Sequence, residues 1–123
     1  GAQTSATAAG NGFLSNGIYR SLASEAMVAL VKVSDAGRIS DENIVRGLEW
    51  VIVNKERYNI RVVSISLGGD ADLSFRESKV DEIAERAVQA GLTLIVAAGN
   101  SGCADTHRPI PPGNSPAVIT VGG

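Results

Sequence analysis

The chain has 123 residues, of which 44% are hydrophobic and 20% are charged, and its formal net charge of -2 suits one globular domain. The 11 Lys and Arg residues are scattered and do not interleave with aromatic residues, which argues against nucleic-acid binding. The longest apolar run has the length of a strand, so no transmembrane segment is predicted, and without a signal-peptide pattern the cellular location stays unassigned.

The first half of the chain predicts a helix, a loop, a strand and a second helix. Residues 1–10 are small and compatible with a helix, and the Asn-Gly pairs at 11–12 and 16–17 predict a turn-rich loop. The apolar run at 28–33 predicts the first strand. Ser40 is a typical N-cap, and acidic residues follow it, so we expect a helix to begin there. The apolar face of this helix consists of Ile44, Leu48, Val51 and Ile52.

The second half continues the alternation of strands and helices. Residues 60–66 predict a second strand, 93–97 a third and 118–121 a fourth, which follows a Pro-rich connection. Between the second and third strands a helix is expected from about 78 to 90, with Gly91 ending it. Its inward face consists of Val80, Ile83, Ala84, Ala87 and Ala90. This order predicts an α/β fold with a parallel sheet and right-handed crossovers, in one domain over residues 1–123.

Small residues follow two of the predicted strands at their carboxyl ends, where open parallel sheets bind ligands. The two segments are Ser66, Leu67, Gly68 and Gly69 after the second strand, and Ala97, Ala98, Gly99 and Asn100 after the third. If the strands are neighbours, a substrate chain lies along 67–69, and residues 66–68 and 97–99 form two walls of a side-chain pocket. The Asn100 amide is a suitable donor to a developing oxyanion. The alternative for each segment is an ordinary turn.

Several motifs, in the same order, resemble the central part of the subtilisin-like serine proteases (subtilases, peptidase S8). Residues 65–69 resemble the substrate-binding strand of that family, 97–102 its oxyanion-hole segment and 116–122 the strand before its final catalytic third. Further matches are the segments 4–12, 31–33 and 47–50. The resemblance spans essentially the whole chain. It implies part of a three-layer α/β/α fold, with residues 1–123 as the central portion of a catalytic domain.

The resemblance also implies roles for particular residues. Asn100 would be the oxyanion-hole side chain, and residues 66–69 and 97–99 would form the first specificity pocket, whose Ala and Gly walls leave room for a sizeable apolar side chain. The edge that pairs with substrate upstream of the cleaved bond would be Gly37, Arg38 and Ile39. The triad Asp and His would precede Gly1 and the triad Ser would follow Gly123. The isolated chain is therefore expected to be inactive.

Other polar residues offer weaker candidates for chemistry. His107, the only His, lies in a polar loop, and neither Ser66 nor Ser101 has a base assigned to it. Cys103 has no cation or helix N-terminus in evidence to activate its thiol, and Asp70 and Asp72 suit a turn after Gly-Gly. Subtilases often bind calcium in the loop after the His helix. Here residues 11–17 contain amide oxygens but no carboxylate, so no metal or cofactor is predicted.

Two functions of different classes follow from the sequence. The first is a fragment of a serine endopeptidase, with a peptide or protein as substrate. The alternative is a non-catalytic subtilase-like module that binds extended peptides by strand addition. A nucleotide-binding domain is disfavoured because residues 34–37 lack a Gly-rich phosphate motif. Bare strand edges also predict a homo-oligomer, with residues 1–10 or the last strand exchanged between copies.

Overall fold

The structure is a computed structural model that describes residues 2–67, 78–99 and 109–122, and the chain divides into two units, Gly1–Lys32 and Val33–Gly123. In the first unit, helix α1 (Ala2–Ala9) is followed by a 3₁₀ turn, Phe13–Ser15. Gly12 before this turn and Asn16 after it both adopt positive φ, of 73° and 50°. The helix and the turn-rich loop therefore match the sequence predictions.

The second unit begins with a short antiparallel hairpin of β1 (Ser34–Asp35) and β2 (Arg38–Ile39). Ala36 and Gly37 join the two strands and both have positive φ, as a tight two-residue turn between twisted strands requires. Helix α2 (Asp41–Asn54) then begins, and the Ser40 hydroxyl accepts a hydrogen bond from the Asn43 N–H at 3.2 Å. This N-cap was expected from the sequence.

The rest of the second unit forms a parallel sheet and helix α3 (Lys79–Gln89). Strands β3 (Val62–Ile65), β4 (Thr93–Ala97) and β5 (Ile119–Val121) are parallel and adjacent in that order. Helix α3 connects β3 to β4 along the chain, begins at the N-cap Ser78 and ends before Gly91, whose φ is 94°. The predicted α/β fold with a parallel sheet and flanking helices is confirmed.

A single apolar core lies between the two longer helices and one face of the sheet. Helix α3 packs against both α2 and β4. Alternate residues of β3 and β4 face this core, because successive side chains of a strand point to opposite sides. The buried members are Ile44, Leu48, Val51, Ile65, Val80, Ile83, Ala84, Ala87, Leu92, Leu94 and Val96. The opposite face of the sheet is much more open, with Val62 61% exposed and Ile119 and Val121 each 53% exposed.

The predicted strand at 28–33 is wrong. The structure assigns no strand to these residues, and the nearest strand, β1, begins at Ser34. Val28 is 52% exposed and Leu30 is 71% exposed. An apolar run forms a stable parallel strand only where a neighbouring strand satisfies its backbone groups and other elements cover its faces. Composition alone does not encode either condition.

Candidate functional site

The carboxyl ends of β3 and β4 lie side by side, as the proposed pocket requires. The strands are parallel neighbours, and Ile65 pairs with Val96. Ser66 and Leu67 therefore leave β3 next to the point where residues 97 and 98 end β4. Ser66 is exposed, whereas Leu67 is half-buried and packs against the core. The structure thus brings together the described parts of the two small-residue segments.

The end of β4 is hydrogen-bonded to β5 and to a later loop. The Ala98 N–H donates to the Val121 carbonyl at 2.9 Å, and the Ala98 carbonyl accepts from the Ile110 N–H at 3.4 Å. Gly99 follows with a φ of 108°, a conformation that L side chains rarely adopt. The glycine in the predicted wall 97–99 is therefore required by the backbone as well as by the space it leaves.

A tight turn at residues 110–114 packs directly against this strand end. Its Gly113 N–H donates to the Ile110 carbonyl at 2.6 Å, and the Thr120 hydroxyl donates to the Gly113 carbonyl at 2.6 Å. A Cβ on Gly113 would lie 2.8 Å from the Ala97 carbonyl oxygen. Sequence reasoning treated this region only as a Pro-rich connection. The Pro-Pro-Gly run at 111–113, which favours a tight turn, is the signal that it passed over.

The hairpin places Gly37, Arg38 and Ile39 in two different settings. Gly37 lies in the turn, whereas Arg38 and Ile39 form β2 and pair with Asp35 and Ser34. One edge of β2 is therefore occupied by β1, and Ile39 is 49% exposed. An open cavity of about 470 Å³ adjoins the hairpin and is lined by Asp35, Ala36, Arg38, Ser40 and Asn43. The proposed pairing of this edge with substrate stays a prediction.

Three residues of the predicted site, Gly68, Gly69 and Asn100, lie outside the described residues. The same is true of the weaker candidates Asp70, Asp72, Ser101, Cys103 and His107. Their proposed roles therefore stay predictions.

Neither a metal cluster nor a membrane span occurs in the described part of the chain. Within residues 2–67, 78–99 and 109–122, no three His, Cys, Asp or Glu side chains lie close enough together to hold a metal ion. In the loop considered for calcium, the Asn11 side-chain oxygen accepts a hydrogen bond from the Phe13 N–H at 3.0 Å. Among the described helices, none is both long enough and apolar enough to cross a membrane.

One buried carboxylate went unnoticed in the sequence. Asp81, in the first turn of α3, has 0% of its surface exposed, and neither carboxylate oxygen has a hydrogen-bond partner. Burial raises the pKa of Asp81 to about 6, the nearby Ser78 side chain offsets part of that rise, and the charge of Glu85 adds to it. The spacing Ser-x-x-Asp at a helix start could have drawn attention to this residue.

Comparison with known proteins decides the family. A model of the subtilase family, Peptidase_S8, matches residues 1–123. The chain belongs to the subtilase family. Among its relatives, the serine protease AprX of Bacillus subtilis (strain 168) is 41% identical over 123 residues, which cover 93% of this chain and 27% of the relative.

Two fungal subtilase relatives give the same picture. Subtilisin-like protease 2 of Trichophyton rubrum is 36% identical over 104 residues, covering 82% of this chain and 23% of the relative. A cuticle-degrading serine protease of Arthrobotrys oligospora is 37% identical over 99 residues, covering 80% and 22%. The chain spans about a quarter of the length of these relatives. The resemblance read from the motifs is confirmed, and the α/β structure agrees with part of a subtilase fold.

Proposed function

We propose that this subtilase chain supplies the substrate cleft and the oxyanion donor of a serine endopeptidase, which hydrolyses peptide bonds by acyl transfer. The observation that carries the proposal is the parallel pairing of β3 with β4, which aligns the segments 66–67 and 97–99 at one edge of the sheet. Such an edge is where open α/β sheets bind ligands. Membership of the subtilase family and relatives named as proteases support the same function.

In this proposal an extended peptide lies across the carboxyl ends of the strands. Residues 67–69 pair with the peptide backbone on one side, and residues 37–39 pair with it upstream of the cleaved bond. The side chain before that bond enters the pocket between 66–69 and 97–99. The reacting carbonyl then lies near Asn100, whose amide N–H stabilises the oxyanion of the tetrahedral intermediate.

Asn100 cannot perform acyl transfer by itself, because the reaction also needs a nucleophile and a general base. The proposal assigns both to parts of the protease outside these 123 residues. The chain alone is therefore expected to show no turnover of peptide substrates, whereas the full-length product of the gene cleaves them and is blocked by serine-directed inhibitors.

The decisive experiment compares full-length proteins with Asn100→Ala and Asn54→Ala. Removal of the oxyanion donor should lower kcat by about 10²–10³-fold with little change in KM; that magnitude is the one known for a subtilisin and is not calculated from this structure. The control Asn54 lies at the end of α2, where its amide donates to the Trp50 carbonyl, and its replacement should leave kcat nearly unchanged. An unchanged kcat in Asn100→Ala would contradict the assignment. Peptide binding without any cleavage would favour the non-catalytic module.

A further inference from the structure

The side chain of Ile110 covers the end of β4 at the predicted pocket wall. A Cβ built on Gly99 would lie 3.5 Å from Cγ1, 3.6 Å from Cδ1 and 3.9 Å from Cγ2 of Ile110. These are ordinary van der Waals distances. The space that the missing side chain of Gly99 leaves is therefore filled by another residue of the same chain, and the Ala and Gly wall is less open than its sequence suggests.

Ile110 is held at both of its backbone groups. Its N–H donates to the Ala98 carbonyl at 3.4 Å, and its carbonyl accepts from the Gly113 N–H at 2.6 Å. Gly113 in turn lies so close to β4 that an added Cβ would be 2.8 Å from the Ala97 oxygen and 3.0 Å from the Ile110 oxygen. The turn has no room to move towards β4, and the branched side chain of Ile110 has few rotamers available.

We propose that Ile110 determines the specificity of this protease by limiting the residue before the cleaved bond to small side chains such as Ala or Ser. This inference rests on the proposed function, because it takes residues 97–99 as a wall of the first specificity pocket. A pocket lined only by Ala and Gly would accept Phe. With Ile110 against Gly99, an aromatic ring can enter only if the turn at 110–114 is displaced, and the hydrogen bonds of Ile110 and Gly113 oppose that displacement.

The test measures kcat/KM of the full-length gene product on two peptides that differ only in the residue before the cleaved bond, Ala or Phe. The unmodified protein should prefer the Ala peptide by more than about tenfold, the size of effect that one or more methylene groups have in a hydrophobic pocket. Ile110→Ala should raise the Phe-to-Ala ratio by at least about tenfold, and Ile110→Val should raise it by a smaller factor.

A ratio of two kcat/KM values does not depend on the fraction of enzyme that is folded, so a loss of stability in Ile110→Ala does not obscure the result. Ile52→Ala is the matched control, because Ile52 packs against the core in α2, away from the strand ends, and should leave the ratio unchanged. Equal cleavage of both peptides by the unmodified protein, or an unchanged ratio in Ile110→Ala, would overturn the role of Ile110 alone. Failure to cleave either peptide would instead overturn the proposed function, and this inference with it.

Discussion

The buried carboxylate of Asp81 makes the stability of the protein depend on pH in a defined direction. Neither of its oxygens has a hydrogen-bond partner, and the side chain is inaccessible to water. An ionised carboxylate in such a place is costly, because it loses its hydration without gaining an ion pair. Replacing Asp81 by Asn keeps the shape of the side chain and removes the charge. The change therefore isolates the cost of burying that charge.

The magnitude follows from the pKa of Asp81, which burial raises from its ordinary value of 3.8 to about 6. Near pH 4 the carboxyl group is largely neutral in the folded chain. Between pH 4 and pH 6 the unfolded chain releases the proton while the folded chain keeps it, so the free energy of unfolding falls as the pH rises. The difference between 3.8 and about 6 corresponds to about 3 kcal/mol. This is an upper bound, because the first turn of a helix also favours negative charge.

Asp81→Asn should therefore be more stable than the unmodified protein at pH 7.5, by up to about 3 kcal/mol, and nearly equal to it at pH 4. Denaturant unfolding at both pH values, followed through the fluorescence of Trp50, measures this difference; the Trp50 ring stacks on Tyr58 with centroids 5.7 Å apart. Glu82→Gln, which removes an exposed charge from the same helical turn, should change stability by less than about 0.5 kcal/mol. A stability difference between Asp81→Asn and the unmodified protein that is the same at both pH values would refute the reasoning.

Two further predictions concern the turn at 110–114 and the open face of the sheet. Gly113→Ala should lower the free energy of unfolding by about 1–3 kcal/mol, because its Cβ would meet the Ala97 carbonyl oxygen at 2.8 Å, whereas Gly122→Ala, with nothing within 4 Å, should not; denaturant unfolding of both variants decides this. The isolated 123-residue chain should form dimers or larger assemblies, and Val62→Lys on β3 should shift it towards monomer in light scattering. A strict monomer of the unmodified chain at roughly tens of micromolar would contradict the second prediction.

The sequence predicted those parts of the structure that depend on local chemistry. Ser40 and Ser78 are N-caps, and each hydroxyl accepts a hydrogen bond from the N–H three residues later. Gly91 ends α3 because its positive φ suits a residue without a side chain. The predicted neighbourhood of the strand ends 66–67 and 97–99 also held, because a helix that connects two parallel strands usually places them side by side.

The sequence did not predict the features that depend on contacts between distant segments. The run at 28–33 has the composition of a strand, yet a strand also needs a partner, and no periodicity within six residues specifies one. Asp81 has the charge of a surface residue, and only the packing around α3 makes it buried.

Ile110 shows why this distinction matters for function. The wall at 97–99 reads as an open surface when its own residues are considered, because Ala and Gly carry so little side chain. Its capacity is set instead by a residue eleven positions beyond Gly99, which the turn at Gly113 holds against it. A pocket's chemistry can thus be local in sequence while its volume is not. The substrate preference of this subtilase should accordingly change with the residue at position 110 even when every residue of the wall is kept.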